Sequence, residues 1–201
     1  MTEAASLVSA APQLFTSKRS DWETPGGIAR PGTFFYNLHK EFQFDLDAAA
    51  HEMNAKLLTF LTEDDNALKM QWPGVSAFCN PPYGMGNVVG KWMNKFAIEY
   101  ARKPRKSLVV LVAARTDTLW FHDIIWPLAD EVRFIRGRLL HEIGGKPIVK
   151  ADKNGVLRTQ PATFPSMIVV FRRKCELRLP DRPLFRSISP KGILLDEEVP
   201  I

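Results

Sequence analysis

Between Thr33 and Glu41 apolar side chains recur at helical spacing, with Phe34, Phe35, Leu38 and Phe42 on one face, and predict an amphipathic helix. Phe42-Gln43-Phe44-Asp45-Leu46-Asp47 then alternates apolar and polar as a half-buried strand does, and ends in acids. A short helix is expected around Ala48–Leu58, followed by an acidic turn at Glu63-Asp64-Asp65. The apolar run Val75-Ser76-Ala77-Phe78-Cys79 reads as a strand. Val89, Trp92, Met93, Phe96 and Tyr100 share one face of a second helix, which Asn87 is placed to cap and Pro104 to end. Ser107–Ala113 is almost wholly apolar, as a parallel strand buried on both faces must be. A helix through Leu119–Leu128 leads to a strand over Glu131–Arg136. A polar loop of about twenty residues then precedes the last strand, Ser166-Met167-Ile168-Val169-Val170-Phe171.

Alternating strands and helices predict an open, mostly parallel, Rossmann-like α/β sheet. The last connection has no helical pattern, so the final two strands are expected to pair antiparallel. Residues 1–20, with Ala, Ser and Thr and no sustained period, read as a flexible arm; residues 21–174 form one domain. Residues 175–201, with four prolines from 177 onward and scattered charge, read as a tail.

The 201 residues suffice for one three-layer domain. No run approaches the ~20 apolar residues of a membrane span, and the N-terminus lacks the basic and apolar stretches of a signal peptide. The protein is expected in a reducing cytosol, acting as a monomer with no membrane partner. Cys79 and Cys175 make no disulfide or metal pattern. Residues 1–100 carry 8 Lys/Arg against 11 Asp/Glu, and residues 101–201 carry 19 against 11. An acidic first half and a basic second half suit a cationic cofactor beside a polyanionic substrate.

Asn80-Pro81-Pro82-Tyr83 ends the strand at Cys79 and carries the chemistry. Prolines have no N–H to offer, and Asn80 and Pro81, each preceding a proline, are held extended. The loop therefore presents one amide, a row of carbonyl oxygens and an aromatic ring. Such a loop can hold a planar amino group by both hydrogens and stack a flat ring. The Asn80 side-chain oxygen and the Pro81 carbonyl are placed to accept one N–H each. Drawing both protons out of the ring plane frees the nitrogen lone pair for a methyl donor. Fixed acceptors of this kind are worth ~3 kcal/mol each in a transition state. A base inside a duplex is unreachable, so Tyr83 is expected to stack on a flipped one.

Five stretches in order resemble the phage-type DNA N6-adenine methyltransferases: Asp21-Trp22-Glu23-Thr24-Pro25; Phe44-Asp45-Leu46-Asp47-Ala48-Ala49-Ala50; Glu63-Asp64-Asp65 with Trp72; Phe78-Cys79-Asn80-Pro81-Pro82-Tyr83; and Ala114-Arg115-Thr116-Asp117-Thr118 with Trp120-Phe121-His122. Asn-Pro-Pro-Tyr alone is shared with methyltransferases of RNA and of protein glutamine, whereas the ordered set is more specific. The resemblance implies a Class I methyltransferase fold, S-adenosylmethionine as cofactor and DNA as partner. Its catalytic residues would be Asn80, Pro81, Pro82 and Tyr83. Its cofactor-binding residues would be Trp22, Thr24, Pro25, Asp45, Asp47, Ala48, Asp64, Asp65 and Asn80. Asp45 and Asp47 are expected at a strand's carboxyl edge, facing the methionine amino group or the ribose, with Asp64 or Asp65 at the ribose or the adenine amine. Tyr83, Arg115, Lys146 and Lys150 would meet DNA. The glycine-rich loop usual after the first strand is replaced by Ala48-Ala49-Ala50, and Gly26–Arg30 intervene before Pro31, so Arg30-Pro31 competes with Thr24-Pro25 for the cofactor contact.

Other classes have weaker footing. Gly84-Met85-Gly86-Asn87-Val88-Val89-Gly90 approximates a dinucleotide fingerprint, and Arg115 is placed to read a 2′-phosphate, which makes an NADP-dependent oxidoreductase the rival enzyme. Against it, Pro81-Pro82 sits where the glycine turn should begin. His51-Glu52-Met53-Asn54-Ala55 lacks the second histidine of a zinc helix, so no metal site is expected. A non-catalytic DNA-binding module accounts for the basic half but not for the Asn-Pro-Pro-Tyr loop. Among methyltransferases, RNA and cytosine N4 remain alternative targets. No insertion offers a separate recognition domain, so short or relaxed sequence preference is expected.

Overall fold

The computed structural model describes residues 23–25, 31–84, 86–102, 107–143, 146–172 and 183–195. In chain order the elements are β1 (Glu23–Pro25), α1 (Phe34–Phe42), β2 (Leu46–Asp47), β3 (Ser76–Cys79), α2 (Val88–Ala101) and β4 (Ser107–Ala113). A π-helical segment (Phe121–Ile125) runs into α3 (Trp126–Leu128) and then β5 (Glu131–Ile135). The short strands β6 (His141–Ile143), β7 (Lys146–Pro147), β8 (Val149–Ala151) and β9 (Leu157–Thr159) precede β10 (Ser166–Arg172) and β11 (Leu184–Ile188).

The central sheet runs β11-β5-β10-β4-β3-β2, and Phe60 adds a parallel bridge outside Asp47. Strands β2, β3 and β4 are mutually parallel, as are β5 and β11, while β10 is antiparallel to both β4 and β5. The expected mostly parallel sheet with an antiparallel last pairing is therefore present. All seven residues of β4 are buried. Leu108, Val110 and Val112 face α2 together with Met167, Val169 and Phe171 of β10, whereas Val109, Leu111, Ile168 and Val170 face α1. Period-2 alternation thus feeds two cores, one on each face of the sheet.

Helix α1 forms because its apolar stripe, Phe34, Phe35, Leu38 and Phe42, has this sheet to lie on. Thr33 caps its start by accepting from the Tyr36 N–H, and Gln43 closes it at φ 51°. Arg133, 1% exposed, is gripped by Glu41 at 2.6 Å and Glu131 at 2.8 Å, tying α1 to β5. On the other face Trp92, Met93 and Phe96 of α2 pack with Trp72 and with Phe121, Ile124 and Ile125.

Three expectations are corrected and one is refined. Ala48–Leu58 is not a helix: the Ala48 N–H donates to the Phe78 carbonyl and the Ala50 N–H to that of Leu61, so pairing across the sheet overrides alanine's helix preference. The helix expected over Leu119–Leu128 is present, with a π-helical stretch at its centre, where the Trp126 N–H donates back five residues to Phe121, next to Pro127, which has no N–H to give. The polar loop folds into the short strands β6 to β9. The segment read as a tail supplies β11, whose pairing with β5 extends the sheet, and Asn37 Nδ2 donates to the Lys191 carbonyl at 2.7 Å.

Candidate active site

Parallel pairing sets Asp47 opposite Phe78, so Asp47 and Asn80 leave adjacent strands at the same, carboxyl, edge of the sheet. Ligands of open α/β sheets bind outside this edge. The Leu61 N–H donates to the Asp47 carbonyl at 2.9 Å, which brings the chain after Phe60 to the same edge. The Asp47 side chain is 3% exposed and accepts from the Lys56 N–H at 3.1 Å. Burial pushes its carboxyl up to about 6, against the pull of the Lys56 ammonium. Burial also lowers Lys56 to about 8, with Asp47 and Glu142 opposing that shift. The arrangement is an acid inside the protein at a ligand-binding edge, only partly compensated by its neighbours. A cationic ligand group arriving there would favour its ionised form.

Beside it lies a cleft of about 280 Å³. Leu61, Ala67, Leu68, Val88 and Trp92 give it apolar walls, Thr62, Glu63 and Asn66 a polar rim, and Pro82, Tyr83 and Gly84 the side nearest Asn80. Flat apolar walls with hydroxyl, amide and carboxylate groups along one rim suit a nucleoside, whose base is planar and whose ribose is polar.

Tyr83 is fixed from three sides. Its hydroxyl lies 3.0 Å from the Leu111 carbonyl oxygen and 3.3 Å from Asn80 Oδ1, and its ring packs on Phe164 with centroids 5.1 Å apart. Burial pushes its phenol far up, so the group stays a donor. The hydroxyl therefore orients the Asn80 amide while anchoring the loop on β4, a role beyond stacking. Tyr83→Phe should lower single-turnover methylation ~5-fold, the worth of one hydrogen bond of ~1 kcal/mol, with cofactor affinity unchanged. Tyr83→Ala should lose base stacking as well, a further ~1–3 kcal/mol. Equal rates for wild type and Tyr83→Phe would remove the orienting role.

The other expected residues divide. Ala48 lies beside Asp47 at the carboxyl edge. Asp45 does not: it precedes β2, and its carboxylate accepts from the Val75 and Ser76 N–H groups at 2.8 and 3.0 Å, at the amino end of β3. It is a backbone clasp at the wrong end of the sheet, and a side chain at Gly74 would collide with it. Asp64 is exposed and does not line the cleft, and Asp65 turns back to accept from both the N–H and the hydroxyl of Thr62 at 2.8 Å. Glu63 lines the cleft in their place. Thr24 pairs with Glu142 and Pro25 with His141, and Glu142 shares the Lys56 ammonium with Asp47, which brings β1 toward the Asp47 side. Trp22 and Arg30 lie outside the described residues. Asn87 sits at φ 61° with no side-chain cap bond, so it turns the chain into α2 without capping it. Arg115 is exposed where β4 ends, and the next N–H back, that of Ala114, donates to the Pro165 carbonyl beside Phe164. The Thr118 hydroxyl donates to the Arg115 carbonyl at 2.8 Å, closing the turn over residues 115–118. Lys146 opens β7 and Lys150 is exposed on β8. Among the described residues there is no metal-holding group of His, Cys, Asp or Glu and no helix long and apolar enough to cross a membrane.

Comparison with known proteins bears on the chemistry. Residues 12–191 match the family described as DNA N-6-adenine-methyltransferase (Dam). The chain is 29% identical over 161 residues to the DNA N-6-adenine-methyltransferase of Haemophilus phage HP1, covering 79% of this chain and 83% of that one. A solved protein of Listeria monocytogenes, titled a class I S-adenosylmethionine-dependent methyltransferase, is similar over 75% of this chain and 52% of its own, at 11% identity and a TM-score of 0.41. That likeness is too low to argue from, and the open sheet with its antiparallel β10 is observed directly. The family match takes in the whole of the sheet and both sides of the cleft, and by it the chain belongs to the DNA N-6-adenine-methyltransferase family, with adenine-N6 methylation of DNA as its activity.

Proposed function

We propose that the cleft takes the adenosyl part of S-adenosylmethionine and that Asn80-Pro81-Pro82-Tyr83 receives a flipped adenine beside it. The observation that supports this is the emergence of Asp47 and Asn80 from neighbouring strands at one edge, with the cleft lined by Ala49, which follows the first, and by Pro82 and Tyr83, which follow the second. In this reading Glu63 accepts from the ribose hydroxyls and Asn66 and Thr62 serve the rim. Asp47 answers the positive charge of the methionine end, with Thr24-Pro25 closing that side. When bound, S-adenosylmethionine supplies the methyl group as an electrophile on a cationic sulfur. The Asn80 Oδ1 and the Pro81 carbonyl each accept one N6–H, which shifts the nitrogen lone pair out of conjugation. Tyr83 stacks on the base and holds the Asn80 amide in register. Transfer of the methyl from sulfur to N6 would leave the sulfur as a neutral thioether and the nitrogen cationic. The same two acceptors stabilise it until one proton leaves to solvent.

The proposal extends to scope: a phage or prophage enzyme acting as a monomer on DNA in the cytoplasm of a bacterial host, with short or relaxed sequence preference. Single-molecule sequencing of plasmid methylated in vitro should show N6-methyladenine in many sequence contexts, with salt sharply reducing the yield. Modification confined to one motif of four or more base pairs would refute the relaxed preference.

A further inference from the structure

The connection between β5 and β10 leaves and re-enters the sheet at the carboxyl edge, since β5 ends there and antiparallel β10 begins there. Its base is anchored: Leu139 and Ala162 are buried and hydrogen-bonded, Leu140 bridges Pro161, and Phe164 lies on Tyr83. Beyond the base, the Gln160 N–H donates to the Ile148 carbonyl and β8 pairs with β9 as a two-stranded ribbon. The Asp152 carboxylate ties its turn by accepting from the Asn154 and Val156 N–H groups. From Pro161 to Gly155 the ribbon reaches ~20 Å at ~3.3 Å per residue.

All six residues of β8 and β9 are exposed, so the ribbon has no covered face. Isolated two-stranded ribbons are marginal in water. The register sets Lys150 directly opposite Arg158, a like-charge pair that weakens the ribbon, relieved in part by Asp152 at 2.7 Å from the Arg158 Nε. The alternate positions are Val149 opposite Thr159 and Ala151 opposite Leu157, with Leu157 67% exposed. One face is thus cationic and the other carries methyl groups. A DNA major groove, ~12 Å wide and ~8.5 Å deep, admits a two-stranded ribbon and offers phosphates at its walls and thymine methyls on its floor.

We infer that the β8–β9 ribbon enters the major groove of duplex DNA, with Lys150 and Arg158 on phosphates and Val149, Ala151 and Leu157 toward the groove floor. This rests on the proposed DNA reading and deepens it, because the ribbon's base carries the Phe164 that touches Tyr83. A ribbon held on the catalytic loop would set which base lies above Asn80, while its residues supply no fixed base code.

The full chain, a short fluorescent duplex and anisotropy at several salt concentrations test this without catalysis. Lys150→Ala/Arg158→Ala should weaken binding ~10-fold at low salt and reduce the salt slope by ~2, about 0.9 for each phosphate contact. Lys150→Arg/Arg158→Lys should restore both, and Lys40→Ala on α1 should change neither. Every ribbon site is exposed, so the melting temperature should stay within about a degree. Uracil in place of thymine should weaken the wild type several-fold and leave Leu157→Ser indifferent. An unchanged slope in the double variant would overturn the ribbon as a DNA contact, and equal affinity for the two duplexes would overturn its place in the major groove. Either result with methylation intact leaves the proposed function standing, whereas ribbon-dependent binding without any methyl transfer would count against the function alone.

Discussion

Asn80→Ala should lower turnover ~10²–10³-fold while leaving S-adenosylmethionine affinity within ~3-fold. In the proposed function the amide oxygen acts on the incoming amine as its charge develops, and removing one fixed group of this kind typically costs that much. The structure adds a reason for the size of the effect. Asn80 Oδ1 lies 3.3 Å from the Tyr83 hydroxyl, so the amide is oriented before the base arrives. Asn80→Asp places an acceptor in the same position and should recover part of the rate. Stopped assays with excess cofactor, paired with calorimetric titration of the cofactor, separate the two quantities. Near-normal turnover in Asn80→Ala would end the catalytic assignment.

Asp47 should show opposite effects on stability and on binding. Its folded pKa, about 6, lies above the ordinary 3.8, so the native state holds the proton more tightly than the unfolded chain. The stability this confers is fully present below about pH 4 and is lost as the pH rises through 6, a decline of ~2–3 kcal/mol attributable to this carboxyl. Binding of a cationic methionine end requires the ionised form, so cofactor affinity should climb ~10-fold between pH 5 and 7. Asp47→Asn should flatten the affinity profile, abolish that part of the stability decline, and weaken binding at pH 7 at least tenfold. Asp65→Ala, whose carboxylate serves Thr62, should leave affinity nearly unchanged. Unaltered affinity in Asp47→Asn would take Asp47 out of the site.

The sheet was legible because its strands obey simple rules: Ser107–Ala113 is almost wholly apolar because both its faces are covered, and α1 shows its stripe because only one of its faces is. The Asn-Pro-Pro-Tyr loop was legible because proline restricts the backbone on its own. The misreading of Ala48–Leu58 as a helix hid the cofactor-side edge. Phe60-Leu61-Thr62-Glu63 passes from apolar into polar residues and lies beside Asp47 through the Phe60 bridge, and the first acid after it, Glu63, is the one that lines the cleft. Asp45 and Asp47 are indistinguishable in an alternating sequence. Only the start of β2 at Leu46 shows that one lies at the amino end and the other at the carboxyl end. β11, Leu-Phe-Arg-Ser-Ile between Pro183 and Pro190, is a short run inside a proline-rich segment and finds its place against the open edge of β5. The contact of Phe164 with Tyr83 spans 81 residues and leaves no local trace.

The proposed site should place a methyl group on the N6 of adenine in DNA. Incubating unmethylated plasmid with the enzyme and methyl-deuterated S-adenosylmethionine, then digesting to nucleosides for mass spectrometry, tests it most directly. Deuteromethyl-labelled N6-methyldeoxyadenosine should accumulate with wild type and fall at least ~100-fold with Asn80→Ala. Label on cytosine N4, or none on the DNA of a folded, cofactor-binding enzyme, would contradict it.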